Sequence, residues 1–162
     1  MPVDLLTEAE RERWQRFPDP LPHDDLCVFF QFSDDDQREA RGQRDAQNRL
    51  GYALQLCILR YLGFVPDHLQ AIPHAVVPCV AAQLAIDPSV LTLYARRRRT
   101  QTEHQRNVQA YVKFRRATPL DFSALQTWLV ERALEHDKPT LLLQLACANL
   151  DRAKMVRPGV TR

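Results

Sequence analysis

Glycine is scarce in this chain, with four in 162 residues, and none of them follows Asn or Asp. Two-residue hairpins draw on Asn-Gly or Asp-Gly pairs, so their absence speaks against an antiparallel sheet. The four cysteines, Cys27, Cys57, Cys79 and Cys147, lie 30, 22 and 68 residues apart, which fits no zinc-binding pattern. They are expected to be buried small apolar groups in a reducing compartment. Histidines 23, 68, 74, 104 and 136 lack metal-ligand spacing as well, and are expected at the surface or at helix ends. No apolar run approaches the roughly 20 residues a membrane span needs. The Met1-Pro-Val-Asp4 start lacks the charged head and apolar centre of an export signal. A cytoplasmic location is expected, with no membrane contact. There is no glycine-rich phosphate loop, and no nucleophile can be matched with a base. Asp34-Asp-Asp36 is a possible magnesium holder, but at a helix start capping explains it better. The chain as it stands is not expected to be an enzyme, nor to hold a cofactor.

What is present is helix. Hydrophobic residues make up 45% and charged residues 26%, a globular balance. Thr7-Glu-Ala-Glu10 is a capping box, and Pro18 and Pro20 stop the helix behind it. Pro22 opens a short helix with Asp24 and Asp25 in its first turn. Ser33 caps a third, which Gly42 is expected to close in a left-handed conformation. A longer helix from about Arg44 to Leu62 ends at Gly63. Its second half is almost wholly apolar. In its first half Arg44, Asn48, Tyr52 and Gln55 form one polar stripe, read as an exposed front.

The layout then repeats. A helix to Leu84 contains the awkward Pro78, Asp87-Pro88 opens another, and Thr102-Glu-His-Gln105 makes a capping box before Val108. After Pro119, Asp121 is expected to cap one helix and Pro139 to start the next. The expected fold is all-α with seven or eight helices and no sheet. Residues 1–70 and 71–116 would be tandem helix-turn-helix-like three-helix units, and 117–162 a helical hairpin leading into further chain.

Charge is unevenly spread. Residues 1–36 carry a net −7, residues 37–116 a net +8 and residues 117–162 a net +1. A basic middle behind an acidic head is the footprint of a local polyanion contact. Arg96-Arg97-Arg98-Arg99 with Thr100 and Thr102 suits phosphate, since guanidinium forks match phosphate oxygens. Gln101, Gln105 and Arg106 have the donors and acceptors to address base edges, as do Asn48, Arg44 and Arg49 in the first unit. Arg41, Gln47 and Lys113 complete the candidate set. An RNA-binding reading is weaker, because no aromatic pair lies in the basic region at strand spacing.

Asn48-Arg-Leu-Gly-Tyr-Ala-Leu-Gln-Leu-Cys-Ile-Leu-Arg-Tyr-Leu-Gly63 closely resembles a hallmark of Tn-three family transposases. Met1–Leu6, Val77–Leu84 and Arg152–Gly159 resemble the same region of that family. The resemblance implies the N-terminal DNA-binding part of a replicative transposase, which recognises the terminal inverted repeats of its transposon. It implies double-stranded DNA and other transposase subunits as partners, with a dimer expected for the full-length protein. It also implies a ribonuclease-H-like catalytic region further along, using magnesium and an Asp-Asp-Glu set, of which no position matches here. A helical module that mediates subunit contacts and binds DNA weakly is the alternative.

Overall fold

The computed structural model describes residues 6–67, 69 and 72–158. Met1–Leu5, His68 and Gly159 lie outside the described residues. Among the described residues there are nine α-helices. They are α1 (Glu8–Gln15), α2 (His23–Phe29), α3 (Asp34–Arg41), α4 (Ala46–Leu62) and α5 (Val76–Leu84). A 3-10 turn (Pro88–Val90) then runs into α6 (Leu91–Ala95), followed by α7 (Arg98–Tyr111), α8 (Pro119–Ala133) and α9 (Pro139–Arg152). The all-α class stands, with two departures: the described helices number nine rather than seven or eight, and a short sheet is present. Arg115–Arg116 (β1) pairs in parallel with Met155–Val156 (β2), a contact across forty residues of chain that no local pattern announces.

Local chemistry sets the helix ends. Thr7 and Ser33 form capping boxes with Glu10 and Asp36, and Gly63 closes α4 at φ 75°. Several ends differ from expectation. Gly42 closes α3 in the right-handed region (φ −65°), because its amide finds Arg38 O and Ala40 O without a left-handed step. Thr118 rather than Asp121 caps α8, and Asp121 is the reciprocal partner three residues on. Helix α7 starts at Arg98, so Thr102 is inside it, its hydroxyl donating to Arg98 O at 3.1 Å. Pro78 is tolerated because it is the third residue of α5, where an amide hydrogen would have no intrahelical partner.

The chain divides into two compact units, Phe17–Val112 and the combination of 1–16 with 113–162. The boundary expected between residues 70 and 71 falls on positions outside those described, and the first unit runs through them. The reason is α4, which is buried without a break from Leu50 to Leu59 and packs against α2, α3, α5, α6 and α7. One core helix thus serves both expected three-helix groups. Helix α1, expected with the first group, belongs to the other unit.

Two clusters tighten the Phe17–Val112 unit. Tyr61 stacks on Phe17 (5.6 Å) and meets Phe29 edge-on (5.1 Å), and its hydroxyl donates to Asp25 at 2.9 Å. Asp36 accepts two bonds from the Arg60 guanidinium at 2.7 and 2.8 Å and one from the Tyr111 hydroxyl at 2.9 Å. Burial alone would raise the Asp36 carboxyl, but Arg60, the Ser33 amide and Tyr111 outweigh it and hold it at about 2. In the other unit α8 packs against α9, and Arg115 binds Asp121 through two hydrogen bonds of 2.7 and 2.8 Å. Its buried residues include Ala146, Cys147 and Leu150 on α9, whereas α8 has none. Cys57 is buried as well, but Cys27 is exposed on α2, against expectation.

Candidate nucleic-acid interface

Arg96 and Arg97 form the junction between α6 and α7, and Arg98 and Arg99 open α7. All four are exposed. What fixes them is Tyr94, the fully buried anchor one turn earlier. Its carbonyl accepts from the Arg97 amide at 3.0 Å and from the Gln101 side chain at 2.9 Å. Its hydroxyl accepts from Gln55 Nε2 at 2.7 Å and lies 3.0 Å from His104 Nδ1. With the hydroxyl already accepting from Gln55, its own hydrogen is available to Nδ1, which matches a neutral imidazole. Burial holds His104 below its ordinary value, partly opposed by Glu103. The ring packs so closely over α4 that a Cβ on Gly51 would sit 2.3 Å from Tyr94 Cε1. Glycine at 51 is therefore what admits the ring.

These bonds change the reading of α4. Tyr52 and Gln55, expected on an exposed front, are buried. Gln55 also donates to Gln101 O at 3.0 Å, and Tyr52 donates to Glu39 at 3.3 Å. Asn48 is only 9% exposed, and its Oδ1 is buried without a hydrogen-bond partner. From Asn48 onward the stripe faces inward, because α6 and α7 lie on it, while Arg44 precedes α4 and stays exposed. His104, expected at the surface, is buried in the same network. The sequence carries no local signal for this, since Gln55 meets Tyr94 and Gln101 across 39 and 46 positions of chain.

The remaining candidates are accessible to different degrees. Arg41, Arg44, Thr102 and Arg106 are exposed, while Gln47, Arg49, Thr100, Gln101 and Gln105 are half-buried. Arg49 spends Nε on Gln43 O (2.9 Å), and Gln101 is engaged with Tyr94. Arg97 lies 3.9 Å from Asp45, the residue beside Arg44 that precedes α4. The two expected basic patches therefore meet at the start of α4. Among the described residues no ion pair holds Arg41, Arg44, Arg96, Arg98, Arg99 or Arg106. Lys113 is exposed and belongs to the other unit.

Two depressions flank the arginine turn. A polar cleft of about 310 Å³ is lined by Gln55, Val65, Pro66, Asp67, Leu69, Arg98, Gln101, Thr102 and Gln105. An apolar groove of about 480 Å³ is lined by Leu69, Pro88, Leu91, Thr92, Ala95 and Arg96. Among the described residues no three His, Cys, Asp or Glu side chains converge where an ion would sit. No single helix there is long and apolar enough to cross a membrane.

The described residues of the Phe17–Val112 unit thus form a helical domain with a cluster of exposed arginines at a braced turn. The chain belongs to the family described as Domain of unknown function (DUF4158), whose model matches residues 5–162. Its relatives are transposases. It is 34% identical over 161 residues to the transposase for transposon Tn501 of Pseudomonas aeruginosa, covering 99% of this chain. It is 29% identical over 160 residues to the transposase for transposon Tn1546 of Enterococcus faecium, covering 98%. To the transposase for transposon gamma-delta of Escherichia coli it is 34% identical over 165 residues, covering 99%. The chain spans 16% of the length of each of these relatives.

Proposed function

We propose that this chain is the DNA-binding N-terminal region of a Tn-three family replicative transposase and binds the terminal inverted repeats of its transposon. The observation that carries the reading is the arginine turn. Arg96, Arg98 and Arg99 are exposed without ion pairs, on a junction that Tyr94 fastens to the core. Cations carried on a braced backbone release counterions from the duplex when they meet its phosphates. Arg41, Arg44 and Arg106 extend the basic surface, and Thr100, Thr102 and Gln105 add hydrogen-bonding groups. Catalysis, and the magnesium it uses, belong to regions of the transposase outside this chain. The full-length protein works as a dimer, on nucleoid DNA.

The test is a titration of the purified chain against a duplex bearing its own terminal inverted repeat and against a scrambled duplex. Tighter binding to the repeat by tenfold or more supports the reading. Equal affinity for both would leave only a general duplex binder.

A subunit-contact role has one specific feature in its favour. Leu120 and Leu134 on and just after α8 are 82% and 86% exposed, and Val130 is 57% exposed. Large apolar side chains in water favour a protein partner. Sedimentation of the chain with and without end DNA separates the two roles.

A further inference from the structure

We infer that Val76–Ala95 is the sequence-reading helix-turn-helix of this chain, and that the Pro88–Ala95 segment enters the major groove and contacts thymine methyl groups. The inference rests on the DNA-binding reading above and names its reading element, which is neither α4 nor α7.

The geometry is that of the motif. Helix α5 and the helical segment Pro88–Ala95 meet at 110°, inside the range of paired helices that place the second in a groove. Three residues, Ala85, Ile86 and Asp87, join them. Ala85 takes the left-handed conformation (φ 55°, ψ 45°) that lets so short a turn reverse direction. The turn is closed by Ile86 N donating to Ala81 O at 3.0 Å and by Asp87 accepting from Ser89 N at 2.8 Å. Val80, Ala81 and Leu84 on α5 and Tyr94 on α6 are buried, so the inward sides of both helices are committed to the core.

The outward side of the second helix is what remains to meet DNA. It carries Ser89, Thr92, Leu93, Ala95 and Arg96, all exposed. Leu93 is 49% exposed, an apolar side chain that gains little where it stands. The Thr92 hydroxyl already donates to Ser89 O at 3.0 Å, which leaves its methyl as the group it offers. Methyl-bearing side chains at a base edge are the partners of the thymine C5 methyl. The exposed arginines that follow directly, Arg96 to Arg99, supply the charge complementarity that holds such a helix against two phosphate strands. The competing helices fit less well. The front of α4 is buried, and the exposed face of α7 includes Glu103 between Thr102 and Arg106, a carboxylate that repels phosphate.

The experiment uses the 162-residue chain. Preferred sequences are selected from a randomised duplex pool, and each thymidine of the selected duplex is then replaced in turn by deoxyuridine, which removes only the methyl. Affinities are measured for the parent and for Thr92→Ser, Leu93→Ala and Val28→Ala, with melting temperatures as a folding control. At one or two positions uracil should weaken the parent roughly fourfold per methyl. Leu93→Ala or Thr92→Ser should lose that discrimination, and Val28→Ala, at an exposed apolar position on α2, should keep it. A selected sequence insensitive to uracil would overturn the inference while leaving DNA recognition intact. So would uracil discrimination that persists in both α6 variants. A pool that yields no preferred sequence would overturn the inference and the DNA-reading function together.

Discussion

Replacing Gly51 with Ala sets two effects of known size against each other. In the middle of a helix Ala is favoured over Gly by roughly 0.5–1 kcal/mol. At this position, however, the added Cβ would lie 2.3 Å from Tyr94 Cε1 and 2.4 Å from both Cδ1 and Cζ. Relief needs the ring to retreat by about 1 Å, since ordinary carbon contacts begin near 3.5 Å. The ring is not free to do so. Its hydroxyl is held by Gln55 and His104, and its carbonyl takes the Arg97 amide. Overpacking of a held group typically costs about 1–3 kcal/mol, and each weakened hydrogen bond costs about 1 more. The net expectation is a loss of about 1–3 kcal/mol. For a unit the size of Phe17–Val112 that lowers the melting temperature by roughly 4–8 °C per kcal/mol. Urea denaturation followed by circular dichroism at 222 nm measures it. In a Tyr94→Ala background the clash is gone, so Gly51→Ala should become neutral or stabilising. A Gly51→Ala protein as stable as the parent would refute the reasoning, because it would mean the ring does not sit on α4 as described.

Three further outcomes follow from the same contacts. The Asp36 carboxyl is held at about 2 against an ordinary 3.8, so its contribution is present above pH 4 and lost as pH falls towards 2. That acid step, on the order of 1–2 kcal/mol after solvent screening, should be seen in denaturation at stepped pH and be missing in Asp36→Asn. Replacing both Arg97 and Arg98 with Ala should weaken binding to every duplex alike and flatten the salt dependence by roughly two units of slope, read from titrations at several salt concentrations. Asn48→Ala should change stability by about 1 kcal/mol without changing the ratio of affinities for end and random duplex, since Asn48 is buried. A selective loss on the end duplex would instead place Asn48 at a base edge.

Helix ends were legible in the sequence where the chemistry is local. Thr7, Ser33 and Gly63 act on neighbours within four residues, so their roles can be read from the residues alone. The apolar half of α4 was legible for the same reason. Which way the polar half faces was not. Tyr52 and Gln55 look like an exposed stripe until Tyr94, Gln101 and His104 are brought onto them, at separations of 39 and 46 residues for Gln55. A polar side chain is equally at home in water and in a satisfied internal network, and periodicity cannot distinguish the two. The pairing of β1 with β2 is hidden in the same way, because two-residue strands carry no alternation. The arginine turn was legible because four consecutive cations cannot all be buried.

Arginine footprinting tests the central claim most directly. The chain is treated with phenylglyoxal alone and in complex with the end duplex, and the modified arginines are identified by mass spectrometry. Arg96, Arg98 and Arg99, exposed and without ion pairs, should lose most of their reactivity when DNA is bound, with Arg44 and Arg106 protected beside them. Arg152, exposed in the other unit, should react as before. Protection confined to Arg132 and Arg152, with Arg96 to Arg99 still reactive in the complex, would contradict the account.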